Sequence, residues 1–151
     1  MITIEEFKKN QTNNTRLIGL DLGSKRIGVS ICDDRQSIAT PLKTLKKINT
    51  DKIIEDVKVI IQENDIGGIV IGNPINMDGS LGPSAQSVHD IAKNISKSIS
   101  LPICLWDERL STVGAFNLSS QLDVNVSKRL KNIDQNAAAF ILQGAIDYLK
   151  N

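Results

Sequence analysis

The first regular pattern in the chain is a pair of short apolar runs, Leu17-Ile18-Gly19-Leu20-Asp21-Leu22 and Ile27-Gly28-Val29-Ser30-Ile31-Cys32, separated by Gly23-Ser24-Lys25-Arg26. Apolar runs of this length on either side of a short turn read as a hairpin of two strands. Ile38 to Leu45 is a third strand, and Pro41 within it places it at a sheet edge or a strand start, because proline cannot donate to a ladder. From Thr50 to Asn64 the period changes: Ile53, Ile54, Val57, Ile60 and Ile61 recur at helical spacing, and Gly67-Gly68 reads as the end of that segment. Ile69-Val70-Ile71 shows no alternation, as expected of a parallel strand buried on both faces. Turn formers fill Asn73 to Gly82. Pro83 suits the first position of a helix whose stripe is Val88, Ile91, Ile95 and Ile99.

Pro102 leads into a last strand, Ile103-Cys104-Leu105-Trp106. Leu110 to Leu122 reads as a helix, Asp123 to Lys131 as a mobile basic loop, and Ala137 to Leu149 as a strong terminal helix with Ala138, Ile141, Leu142, Ala145, Ile146 and Leu149 on one face. Ahead of the hairpin, Thr3 and Glu6 match a capping box that opens a short helix, and Asn10 to Asn14 is a polar loop. A three-strand meander followed by alternating helices and strands predicts an α/β fold, a mixed five-stranded sheet with helices on both faces. No repeat or low-complexity tract interrupts it. The length of 151 residues fits one domain, at roughly 100–200 residues per domain.

Charge and composition narrow the chemistry. Lys plus Arg is 18 and Asp plus Glu is 17, so any affinity for a polyanion must come from local clustering. Only 3% of residues are aromatic, which disfavours a base-stacking platform and leaves phosphates as the main nucleic-acid contact. Cys32 and Cys104 each stand alone in an apolar run, and His89 is the only histidine. That pattern reads as buried reduced thiols in a cytoplasmic protein and makes a zinc site improbable. The start, Met1 to Lys9, is mixed in character and does not read as a signal peptide. No apolar run approaches the ~20 residues of a membrane span, so no membrane partner is expected.

Three acids stand out by position. Asp21 interrupts the first apolar strand, Glu108 follows the last strand, and Asp134 opens the terminal helix. A carboxylate in an apolar strand is costly unless it is paired or metal-bound. Three such groups converging would suit Mg²⁺ or Mn²⁺, which prefer oxygen ligands. Each acid also has a plainer reading: Asp21 satisfied by turn amides, Glu108 a surface residue paired with Arg109, Asp134 a helix cap. Spacing alone does not bring the three together.

Four segments together resemble one family. They are Ile18-Gly19-Leu20-Asp21-Leu22-Gly23-Ser24-Lys25-Arg26-Ile27-Gly28-Val29, the run Ile71 to Pro83, Trp106-Asp107-Glu108-Arg109-Leu110-Ser111-Thr112, and Asp134 to Gln143. In this order and in one short chain they resemble the YqgF family over about Leu17 to Leu149. The resemblance implies a ribonuclease H-like domain at 15–151, behind an N-terminal extension at 1–14, related to Holliday junction resolvases. It implies an endonuclease associated with maturation of the 5′ end of 16S rRNA. The implied site is Asp21, Glu108 and Asp134 holding Mg²⁺ or Mn²⁺ for two-metal phosphodiester hydrolysis, with Asp21 bridging. Asp107 competes with Glu108, since adjacent strand residues point oppositely.

The implied partner is nucleic acid, pre-rRNA or branched DNA, met by a monomer or weak homodimer. Lys25, Arg26 and Arg109 are candidate phosphate contacts, as are Lys128, Arg129 and Lys131. The plainer reading of the last three is a solvated loop. Asp78-Gly79 reads more simply as a turn, and His89 as a surface residue. The sequence departs from the family at Asn73, where leucine is usual, at Leu81, where an acid is usual, and at Gly114, where glutamate is usual. Two rival functions stay open, a resolvase-like DNA nuclease and a nucleic-acid-binding module without turnover. A third, phosphoryl transfer from ATP, is disfavoured by the short chain and by the lack of a GxxxxGK[ST] loop.

Overall fold

A computed structural model describes residues 1–10, 15–109 and 133–150, the side chains of 133–135 excepted. The expected helix at 110–122, the basic loop at 123–131 and most of the polar loop at 10–14 therefore lie outside the described residues. The elements are α1 (Ile4–Asn10), β1 (Arg16–Leu22), β2 (Arg26–Cys32), β3 (Ala39–Lys46), α2 (Thr50–Asn64), β4 (Ile66–Asn73), α3 (Pro83–Ser98), β5 (Ile103–Asp107) and a final helix, α4 (Ile133–Lys150). The sheet has five strands in the order β3-β2-β1-β4-β5. β1 pairs antiparallel with β2, and β2 with β3, while β1, β4 and β5 run parallel. This is the mixed sheet that the meander and the βαβ pattern predict.

Alternation along each strand separates two cores. Ile18, Leu20, Ile27, Val29, Ile69 and Ile71 face α2 and α3, where Ile53, Val57, Ile60, Val88, Ile91 and Ile95 close over them. Leu17, Cys32, Val70, Cys104 and Trp106 face the other way, against Ile141, Leu142, Ala145 and Ile146 of α4 and Phe7 of α1. At roughly 25 cal/mol per Å² of apolar surface removed from water, these two layers are the main favourable term in folding. Both cysteines are buried and free. Burial pushes the Cys104 thiol up to about 12, so it behaves as a small apolar side chain.

One local expectation changes. The Gly67-Gly68 pair does not end α2. Asp65 ends it, in the left-handed region at φ 53°, with its N–H returned to the Ile61 carbonyl, and both glycines lie inside β4. The ring of Phe7 packs against Gly68, where a Cβ would stand 2.7 Å from its Cζ. Pro41 does sit on an edge strand, beside a bulge where the β2–β3 register shifts between Val29 and Ser30. The N-terminal residues join the fold: the Glu6 N–H donates to Thr3 Oγ1 at 3.1 Å, Phe7 is fully buried, and Ile2 makes a parallel bridge to Cys104 beside β5.

α4 lies close to the sheet because small residues let it. Ser30, fully buried, donates its hydroxyl to the Ala138 carbonyl at 2.7 Å. Across the ladder, Gly19 pairs with Ser30, and a Cβ there would stand 2.8 Å from Leu142 Cβ and 3.0 Å from the Ala138 carbonyl oxygen. Further along, the Gln143 side chain accepts from the Ala39 N–H at 2.9 Å. The helix thus tracks β2 toward Cys32 as its residue numbers rise. Its first turn, where Asp134 stands, lies toward the Gly28–Asp21 end of the ladder.

Candidate active site

The parallel strands β1, β4 and β5 end side by side, and ligands of α/β sheets gather at such carboxyl ends. Leu20 pairs with Ile71, and Gly72 and Asn73 pair with Trp106 and Asp107. Asp21 is the next residue on β1. Alternation with Leu17 and Gly19 turns its half-buried side chain toward the α4 face. Gly72 faces the same way, since a Cβ there would meet Ile141 of α4 at 2.5 Å. Glu108, the first residue past β5, folds onto that bare backbone: the same Cβ would lie 3.0 Å from Glu108 Cδ and 3.1 Å from Cγ.

Electrostatics mark the recess. Burial, then the nearby charge of Asp21, then that of Asp107 push the Glu108 carboxyl up to about 7. Two acids sharing a partly dehydrated space cannot both ionise without cost. A divalent cation between them removes that cost, and the donors are all hard carboxylate oxygens, so the residues present fit Mg²⁺ or Mn²⁺. Among the described residues no three potential ligands converge. The side chain of Asp134, the third acid of the expected set, lies outside them.

Asp107 and Glu108 differ in what they touch. Asp107 is occupied by Arg109, whose Nε donates to Oδ1 at 3.0 Å and whose Nη2 donates to Oδ2 at 2.7 Å, while the Arg109 N–H also reaches Oδ1 at 3.0 Å. These bonds hold the Asp107 carboxyl below the usual carboxylate range. Glu108, between the two partners, is left turned toward Gly72 and Asp21. Arg109, expected as a phosphate contact, spends one edge of its guanidinium on Asp107 and is drawn toward Asp78 by charge.

The loop after β4 is a self-bonded turn. Asp78 Oδ1 accepts from the Ser80 N–H at 2.9 Å and from the Ser80 hydroxyl at 2.6 Å, and Gly79 takes φ 90°. The turn reading of Asp78-Gly79 holds. His89 is half-buried rather than on the surface: its Nε2 lies 3.2 Å from Oδ1 of Asn73, and Asn73 is only 8% exposed. The polar residue that replaces the family's usual leucine at 73 therefore has a partner on α3. Lys25 and Arg26 are exposed at the β1–β2 turn, on the same end of the sheet as Asp21. Lys128, Arg129 and Lys131 lie outside the described residues.

Sequence reading missed Gly72 and Ser30. An apolar strand, Ile69-Val70-Ile71, running straight into a glycine is the signal for the first. A polar residue inside a buried strand is the signal for the second.

An antiparallel meander joined to parallel strands, with an acid on the central strand and a second at the end of β5, defines the ribonuclease H-like class. Among solved structures, the chain is similar to Thermus thermophilus RuvC in complex with a Holliday junction substrate, with a TM-score of 0.55 and 12% identity over 84% of this chain and 91% of that one. It is also similar to the yeast mitochondrial Holliday junction resolvase Ydc2, with a TM-score of 0.50 and 11% identity over 97% and 84% of the two chains. At these identities the likeness is one of fold.

The chain belongs to the RuvX Holliday junction resolvase family, whose profile matches residues 15–148. A Pelagibacter ubique (strain HTCC1062) relative named "Putative pre-16S rRNA nuclease" is 76% identical over 151 residues, all of both chains. One of the same name from Chelativorans sp. (strain BNC1) is 45% identical, over 99% of this chain and 94% of its own. The resemblance to the YqgF family read from four motifs is this membership. Among the described residues, no helix is long and apolar enough to cross a membrane.

Proposed function

We propose that this chain is a metal-dependent endonuclease that hydrolyses phosphodiester bonds in structured nucleic acid and processes the 5′ end of pre-16S rRNA. The observation that carries the reading is Glu108, lifted to about 7 beside Asp21 at the carboxyl ends of three parallel strands. Asp21, Glu108 and Asp134 are the residues that would hold Mg²⁺ or Mn²⁺. Bound there, such ions supply water activation and charge compensation at the leaving oxygen.

The remaining work falls to the chain. Asp21 and Glu108 concentrate negative oxygen at one point. The bare backbone of Gly72 leaves space for Glu108 to reach it. The Asp107–Arg109 fork fixes the turn that carries Glu108. Lys25 and Arg26 hold phosphates next to the acids, and Arg109, Lys128, Arg129 and Lys131 are further candidates for that role. The names carried by relatives support rRNA as substrate. The family description favours branched DNA as the second reading, and a module that binds without turnover is the third. The protein acts in the cytoplasm as a monomer or weak homodimer.

The test incubates the purified chain with Mg²⁺ or Mn²⁺ and either a pre-16S 5′ leader transcript or a four-way DNA junction. Metal-dependent cleavage of the transcript, lost in Asp21→Asn, supports the reading. Cleavage of the junction alone moves the substrate to DNA. Binding of either without cleavage, or full activity in Asp21→Asn, removes the mechanism.

A further inference from the structure

On the α4 face of the sheet, rows of side chains cross the strands. Asp21 pairs with Gly28 and Leu22 with Ile27; on the next strand, Thr44 pairs with Gly28 and Lys46 with Arg26. Residues opposite one another in an antiparallel ladder share a face, so Asp21, Arg26, Thr44 and Lys46 all project to the side where Ser30 meets α4. At about 4.8 Å between strands and about 3.4 Å per residue, the Lys46 backbone stands roughly 12 Å from that of Asp21. Gly28, between them on the Asp21 row, has no side chain. Arg26 stands directly opposite Lys46, which sets two cationic side chains next to each other on this face. Both residues are exposed, and among the described residues Lys46 has no carboxylate partner.

The adjoining lysine has a different task. Lys47 Nζ donates to the Gly23 carbonyl at 3.1 Å and its N–H to the Lys25 carbonyl at 3.2 Å, which ties the end of β3 to the β1–β2 turn. The turn that carries Lys25 and Arg26 is thereby held in place relative to Lys46.

We propose that Lys46, with Arg26 opposite it, is a phosphate-binding subsite that guides a nucleic-acid strand across the sheet toward the acids. The proposal takes the class of partner from the nuclease reading and adds the path of the strand. The charge repeat of about 3.4 Å per strand is a rise along the duplex axis, and the strand winds around that axis. Across roughly 12 Å, Lys46 therefore meets the backbone on the order of two phosphates from the one at Asp21. The competing account is that Lys46 only guards an edge strand against pairing with another sheet. Lys43 separates the two. It lies on the same edge strand and is exposed, but it pairs with Val29, whose side chain faces α2 and α3, so it projects from the opposite face.

The experiment measures binding of a fluorescent RNA hairpin with a single-stranded 5′ tail, in EDTA, across a salt series, for the wild type, Lys46→Gln, Lys46→Arg and Lys43→Gln. The expected result is several-fold weaker binding for Lys46→Gln, with a salt slope shallower by about 0.7–0.9, a wild-type slope for Lys46→Arg, and no change for Lys43→Gln. Equal effects of Lys46→Gln and Lys43→Gln, or none, overturn the subsite. EDTA removes hydrolysis from the readout. If the slope depends on Lys46 in a chain that never cleaves, the subsite stands and the nuclease reading falls. Wild-type protein that does not bind the hairpin overturns both.

Discussion

The carboxyl of Glu108 rests on Gly72, at a spot where a Cβ would lie 3.0 Å from its Cδ. The first side-chain atom of any other residue at 72 would therefore take the place of the acid. Gly72→Ala is expected to destabilise the fold by ~1–3 kcal/mol through overpacking against Ile141 and Glu108. It is also expected to weaken Mn²⁺ binding at least tenfold. Urea denaturation and calorimetric titration read the two effects separately, and unchanged Mn²⁺ affinity in a folded Gly72→Ala protein would remove Glu108 from the ion site.

The elevated carboxyl of Glu108 has a definite sign in pH. Its folded value is about 7 against an ordinary 4.5. The folded state therefore holds the proton more tightly, and this contribution to stability is complete below about 4.5 and lost as pH rises through 7. In EDTA, Glu108→Gln is expected to gain stability over the wild type steadily between pH 4.5 and 7 and then level off. Divalent binding requires the deprotonated ligand, so Mn²⁺ affinity of the wild type should fall below pH 7. Denaturation midpoints at four pH values check the first statement, and a flat difference between the two proteins would refute it.

Asp107 and Glu108 are expected to differ in kind. Glu108→Gln should abolish metal-dependent cleavage. Asp107→Asn should leave Mn²⁺ affinity within a few-fold and lower cleavage less, because it loosens the Arg109 fork without removing a ligand. Equal loss of Mn²⁺ binding in both variants would mean that Asp107 is itself a ligand. The Asp107 carboxyl is held low by Arg109, so its stabilising effect is present above about 3.8 and disappears as pH drops below that value.

The approach of α4 to the sheet gives a ranked pair. Ser30→Ala loses the bond to the Ala138 carbonyl and should cost about 1 kcal/mol. Gly19→Ala places a Cβ 2.5 Å from Ser30 Oγ and 2.8 Å from Leu142 Cβ. It should push α4 away and cost more, about 2–3 kcal/mol. If Gly19→Ala proves the milder of the two in thermal denaturation, the close approach of α4 is not what the structure indicates.

Much of the fold was legible because its signals are local and periodic. The hairpin at Leu17–Cys32 and the stripe of α2 need only neighbouring residues to be read. Pro41 announced the edge strand through its missing donor. Asp65 as a helix stop was not legible, since a left-handed aspartate leaves less trace than the glycine pair beside it. The site was half legible. Motifs named both Asp107 and Glu108, but only the register of β4 against β5 and the grip of Arg109 show which one turns toward Asp21. Lys46 was invisible for a related reason: the bulge beside Pro41 shifts which β3 residues oppose Arg26, and no local pattern reports a bulge.

The contact between Asn73 and His89 ties two distant positions together. A leucine at 73 would leave an imidazole nitrogen facing hydrocarbon, and an apolar residue at 89 would strand an amide at the floor of the sheet. Neither change is comfortable alone, so in descendants of this chain the two sites should mutate in tandem. A lineage that acquires leucine at 73 should already have lost its histidine, or be about to.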